Sequence, residues 1–306
     1  MLNFRRPVLL VADRPEVQRF FRNNAFAGTL VRRFIAGEDV ETAVGEATKL
    51  SRLGIGATLD KLGENVKTAD EAAAATKDYV ALIERMASSG LEPNISVKLT
   101  MLGLDLGDEV AVANVRPVLE AARRLKGFVR VDMEGSTYAS RTMEIFEALH
   151  DDFPDEVGVV IQSYLHRARA DAERMIARKA RVRLVKGAYA EPSSVAFQDH
   201  AEVDDNYRRL MEMLLADGSY PAIATHDPAL IAATRKFAAA RQVDLGSFEF
   251  QMLYGVRREE QTTLVAEGCR MRVYVPFGAQ WYPYFTRRIA ERPANALFVL
   301  RQLVSG

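Results

Sequence analysis

NISVKL, residues 94–99, alternates without a break: Ile95, Val97 and Leu99 form one set, and Asn94, Ser96 and Lys98 the other. Alternation with a period of two marks a β-strand, because successive side chains point to opposite faces. Seven more short apolar or alternating runs follow the same logic: IGATLD (55–60), FVRVDM (128–133), GVVIQS (158–163), RVRLVK (181–186), AIATHD (222–227), FEFQML (248–253) and RMRVYV (270–275). Between them the apolar residues recur at intervals of three and four, as on one face of a helix, in residues 70–90, 110–127, 136–153, 167–180, 205–218, 227–242 and 258–268. A last helical pattern follows the eighth run. Eight strands, each followed by a helix, predict an α/β fold of the (β/α)₈ barrel type. Residues 1–50 read as helices, so the expected organisation is an N-terminal helical extension over 1–54 and a barrel over 55–306.

The alternation also predicts which side chains enter the barrel. In NISVKL the apolar set faces the surrounding helices, which leaves Lys98 on the barrel axis. The same parity turns Arg130 and Asp132, Val160 and Gln162, Arg181 and Arg183, Glu249 and Gln251, and Arg272 and Tyr274 inward. Barrel interiors are usually filled by branched apolar residues, so charged inward layers require an explanation. Arg130, Arg181, Arg272 and Glu249 occupy the lower positions and are expected to neutralise and hydrogen-bond one another. Lys98, Asp132, Gln162, Arg183, Gln251 and Tyr274 lie at or near the strand C-terminal ends, where barrel enzymes place their active sites.

In YPYFTRRIAER, after the eighth strand, Tyr284, Arg287, Arg288 and Glu291 share one helix face at spacings of three and four. Two guanidinium forks there suit a small carboxylate, with Glu291 holding one fork in place. Lys98 beside Asp132 reads most simply as an ion pair, and a deprotonated Lys98 or Lys186 would instead offer a Schiff-base nucleophile, as in an aldolase or transaldolase. In VKGAY, Gly187 leaves backbone open to a flat ring or a phosphate; Thr225 and His226 end the sixth strand, where a hydroxyl and an imidazole meet a ligand or fill a loop.

Composition removes several function classes. Lys plus Arg equals Asp plus Glu at 41 each, so no basic field points to nucleic acid. The single Cys269 excludes an internal disulfide and a cysteine zinc site, and four scattered histidines give no metal-ligand pattern. No apolar stretch approaches the ~20 residues of a transmembrane helix, and no Gly-rich dinucleotide fingerprint follows any strand. The apolar C-terminal segment NALFVLRQLVSG packs on the barrel or touches a bilayer.

Taken together, VKLT (97–100), DME (132–134), RLVKGAY (183–189), ATHD (224–227), QMLYG (251–255) and YVPFG, with the paired arginines of the last helix, resemble the proline dehydrogenase family. The motifs run in order from about residue 55 to 295 and resemble a single-domain bacterial member. The resemblance implies a distorted barrel with non-covalent FAD that oxidises L-proline to Δ1-pyrroline-5-carboxylate and passes electrons to a membrane quinone. Carried over by motif, Arg287 and Arg288 hold the carboxylate, while Lys98, Asp132, Leu184, Tyr189, Tyr274 and Tyr284 shape the substrate pocket, Leu184 against the ring. Asp132, Arg183 and Tyr274 are the catalytic candidates, with Arg183 near flavin N5. The flavin positions are Met133, Gln162, Arg183, Lys186, Gly187, Ala188, Thr225 and His226. A cytoplasmic protein, peripheral on the inner face of the membrane, with a separate pyrroline-5-carboxylate dehydrogenase taking the product, completes this expectation. A non-catalytic carboxylate-binding barrel is the reading from a different class.

Overall fold

A computed structural model of the chain describes residues 31–290, with side chains through Thr286. The expected helices before residue 31 and the segment after 290 therefore lie outside the described residues. All eight expected strands are present: β1 Gly56–Lys61, β2 Asn94–Val97, β3 Phe128–Val131, β4 Val157–Gln162, β5 Arg181–Val185, β6 Ala222–Ala224, β7 Glu249–Leu253 and β8 Arg270–Phe277. They pair in parallel and in chain order, and β1 pairs with β8 to close the barrel.

Helices follow the strands as the periodicity predicts: α1 Val40–Ser51 precedes β1, then come α2 Ala69–Ser88, α3 Asp108–Arg124, α4 Ser136–Asp152, α5 Ala168–Ala177, α6 His200–Asp217, α7 Pro228–Arg241, α8 Arg258–Ala266 and α9 Tyr282–Ala290. Their starts follow from capping chemistry. The Thr68 hydroxyl accepts from the Glu71 backbone while the Glu71 carboxylate accepts from the Thr68 backbone, a reciprocal box that opens α2. The Asp227 carboxylate accepts from Ala229 N–H at the start of α7, where Pro228 needs no hydrogen-bond partner.

The core lies between sheet and helices, as the strand alternation requires. Ile95, Val97, Val129, Val131, Val182, Leu184, Phe250 and Val273 face outward and are buried against α1 to α8 in one apolar cluster. The opposite parity enters the barrel. Register sets which inward residues share a level: Ser96 is beside Arg130, Val160 beside Arg183, Ala224 beside Gln251, and Leu253 and Thr58 flank Tyr274.

The lower interior departs from mutual neutralisation. Arg272 pairs with Glu249 at 3.0 Å and also reaches Glu92 at 3.2 Å. Arg130 instead donates to the Val159 carbonyl at 3.3 Å and to the Arg181 carbonyl, and both Arg130 and Arg181 stack on the Phe128 ring. A single inward carboxylate, Glu249, cannot serve three guanidiniums, so backbone carbonyls and aromatic faces take the other two.

Candidate active site

The strand C-terminal ends surround a cavity of about 450 Å³, within the range of small-molecule sites. Lys98 follows β2 and Asp132 follows β3, while Arg183 and Tyr274 come from β5 and β8. Four separate loops and strands thus converge on one side of the cavity.

Asp132 is the centre of this arrangement. Its Oδ1 accepts from Arg183 Nη1 at 2.7 Å and its Oδ2 accepts from the Tyr274 hydroxyl at 2.7 Å. Arg183 is anchored further by Nε donating to Gln251 Oε1 at 2.5 Å and Nη1 donating to Ser96 Oγ at 3.0 Å, and its guanidinium lies 5.1 Å from the centre of the Tyr274 ring. Gln251 in turn donates to Glu249, so the orientation of its amide is set from the layer below. Burial, then the nearby carboxylates Asp132 and Asp60, hold the Tyr274 phenol well above its ordinary range, so it stays protonated.

Lys98 has a nearer partner than the one expected. Its ammonium lies 2.9 Å from Asp60 and 3.8 Å from Asp132, so the primary ion pair is with β1. Asp60 is the group that sequence reasoning missed, although the signal was present: alternation in IGATLD puts Thr58 and Asp60 on the inward set. Burial alone would lower the Lys98 amine, but Asp60 and then Asp132 prevail and hold it well above its usual value. Lys186, 2.5 Å from Asp204 and 3.0 Å from Asp227, is likewise raised, its two carboxylates outweighing burial. Both lysines are thus held as cations, the opposite of what Schiff-base chemistry requires.

The structure brings most of the other candidates to the same cavity. Met133 and Gln162 line it from the ends of β3 and β4, and Thr225 and His226 from the end of β6. Lys186, Gly187, Ala188 and Tyr189 follow β5 along one wall, and Tyr284 reaches it from α9. His226 Nε2 accepts the Leu253 N–H at 2.8 Å, which ties the β6 loop to β7. Arg287 and Arg288 belong to α9, but their side chains, like Glu291, lie outside what the structure describes.

Leu184 is not brought there. It shares the outward parity of Val182, is fully buried in the helix-facing core, and leaves the wall at β5 to Arg183 and Val185. Leu253, inward on β7 with Glu249 and Gln251, is the leucine that lines the cavity. At Gly187, which lines the cavity, a Cβ would fall 2.3 Å from the Tyr164 ring, and its φ of +119° is one that side-chain-bearing residues rarely adopt.

With this geometry in hand, comparison with known proteins is specific. A family model described as proline dehydrogenase matches residues 43–301. A proline dehydrogenase of Deinococcus radiodurans is 41% identical over 99% of this chain and 98% of its own length. Proline dehydrogenase 1 of Bacillus subtilis is 43% identical over 89% of this chain and 90% of its own. Among solved structures, proline utilization A from Bdellovibrio bacteriovorus superimposes with a TM-score of 0.82 at 27% identity, covering 94% of this chain; the chain spans 37% of that longer protein.

Proposed function

The chain belongs to the proline dehydrogenase family, and on that premise we propose that it oxidises L-proline to Δ1-pyrroline-5-carboxylate with non-covalent FAD, passing the electrons to a membrane quinone. The observation that carries this reading is the Asp132 junction, which fixes Arg183 and Tyr274 at the mouth of one cavity with the charged Lys98 beside them.

The residues fit a flavin on their own chemistry. Gln162 Oε1 and Arg183 Nη2 are buried atoms of cavity-lining residues and have no hydrogen-bond partner among the described residues. An acceptor and a cationic donor left in this state are costly unless a ligand engages them. Gln162, Arg183, Lys186, Thr225 and His226, with the backbone of Met133, Gly187 and Ala188, would hold the cofactor. When bound, FAD supplies the two-electron oxidising power of the reaction.

The protein's part is orientation. Arg287 and Arg288 would grip the proline carboxylate, with Tyr189, Tyr284 and Leu253 enclosing the ring, so that its C–H beside nitrogen is held for hydride transfer. Asp132, with both oxygens engaged, keeps Arg183 and Tyr274 in place, and Lys98 adds positive charge toward the carboxylate. Among the described residues no helix is long and apolar enough to cross a membrane, which accords with peripheral docking on the cytoplasmic face as the route to a quinone. A separate pyrroline-5-carboxylate dehydrogenase would take the product.

Purified protein should be yellow, and anaerobic L-proline should bleach the flavin absorption. A protein that binds FAD and is left unbleached by L-proline overturns the reading.

A further inference from the structure

We propose that Asp60 is the group that takes the proton from the ring nitrogen of the substrate, an assignment that rests on the proline-oxidising reading above. Asp60 sits at the inward parity of β1, is fully buried, and lines the cavity. Its Oδ1 accepts from Lys98 at 2.9 Å, whereas its Oδ2 has no hydrogen-bond partner among the described residues. Asp132 is the contrasting neighbour, because Arg183 and Tyr274 each donate to one of its oxygens. Tyr274 is close to Asp60 as well, but a phenol has one proton and this one is given to Asp132.

Two carboxylates in one pocket with unequal donor sets divide into different roles. The one held by a guanidinium and a phenol has both oxygens engaged; the one with a bare buried oxygen has room for a proton. Burial accordingly raises the Asp60 carboxyl above the usual range, against the pull of Lys98. The groups facing Asp60 are Lys98 and Asp132 from the ends of β2 and β3, Tyr274 from β8 and Tyr79 from α2.

The step balances without another reactant. Zwitterionic proline carries two protons on nitrogen; one passes to Asp60 Oδ2, and the N–H electron pair stays on nitrogen. That pair closes the C=N bond as hydride leaves the adjacent ring carbon for the flavin, giving a protonated imine and a flavin reduced by two electrons. Asp60 returns its proton to solvent before the next turnover.

The test is Asp60→Asn in the FAD-loaded full chain, with flavin reduction by proline followed anaerobically across pH. Cyclopentanecarboxylate, which keeps ring and carboxylate but has no amine, serves as the binding probe. The expected result is a reduction rate lower by roughly 10²- to 10⁴-fold, loss of the acid limb of the rate profile, and little change in affinity for the probe. An Asn variant that keeps the acid limb and reduces at a near-normal rate overturns the assignment while leaving the proline reading intact. If that variant does not fold, time-resolved difference infrared of a single turnover of the unaltered enzyme decides. A transient protonated-carboxyl band supports the assignment, and its absence overturns it. An unaltered FAD-loaded enzyme that proline does not reduce would remove both.

Discussion

Tyr274 reaches Asp132 through one 2.7 Å hydrogen bond, and the same carboxylate holds Arg183. Tyr274→Phe keeps the ring over Arg183 and deletes only the hydroxyl. A hydrogen bond to a charged group contributes about 1.5–3 kcal/mol to stability, so Tm should fall, and with Asp132 and Arg183 no longer held in place kcat/KM for proline should fall roughly 10- to 100-fold as well. Steady-state kinetics beside a melting curve separate the two effects; a large drop in Tm with normal kinetics would contradict the role. At this scale residue type was legible in the motifs, but partnership was not. Leu184 and Leu253 both sit in motifs at strand ends, and only the side of the sheet each occupies distinguishes a core leucine from a cavity wall. Gly187 shows the same limit, because the ring it accommodates, Tyr164, comes from a different loop.

Between elements, β7 acts as a column. Glu249 accepts from Arg272 on β8, and Gln251, two residues along, links Glu249 to Arg183 on β5. Burial alone would raise the Glu249 carboxyl, but Arg272, followed by its bond from Gln251 and the charge of Arg130, holds it below the ordinary range. A depressed carboxylate contributes stability above its unfolded value of about 4.3, and that contribution is lost as pH falls through the lower folded value. Glu249→Gln leaves Arg272 buried and without its nearest charge, which costs on the order of 3 kcal/mol. Melting curves should therefore show the variant well below the unaltered chain at neutral pH, with the gap narrowing below about pH 4. A gap independent of pH would show that the charge of Glu249 is not what stabilises the column.

Across the whole molecule, closure joins the first strand to the last and draws in the segment before α1. Ala36 N–H donates to the Pro276 carbonyl, Gly278 N–H to the Gly37 carbonyl, and Trp281 Nε1 to Glu38, each at 2.9 Å. Gly255, after β7, completes this seat: its φ is +74°, and a Cβ there would lie 1.6 Å from the Arg33 carbonyl oxygen. Gly255→Ala should displace residues around Arg33 and lower stability by about 1–3 kcal/mol from backbone strain alone. Because Trp281 is the only tryptophan, its emission should shift with that displacement. Unchanged emission and Tm would mean the segment does not depend on this glycine.

What the sequence determined by itself was periodic and local. Alternation in NISVKL and its counterparts identified the eight strands, their inward faces and the end of the barrel at which Lys98, Asp132, Arg183 and Tyr274 gather, because strand geometry repeats every two residues. Tertiary structure alone decided who meets whom: that Lys98 pairs first with Asp60, that Asp132 joins Arg183 to Tyr274, and that two lower arginines rest on carbonyls and rings. Those contacts cross a closed barrel between strands far apart in the chain. They depend on register and stagger, which are properties of the assembled sheet that no single strand encodes.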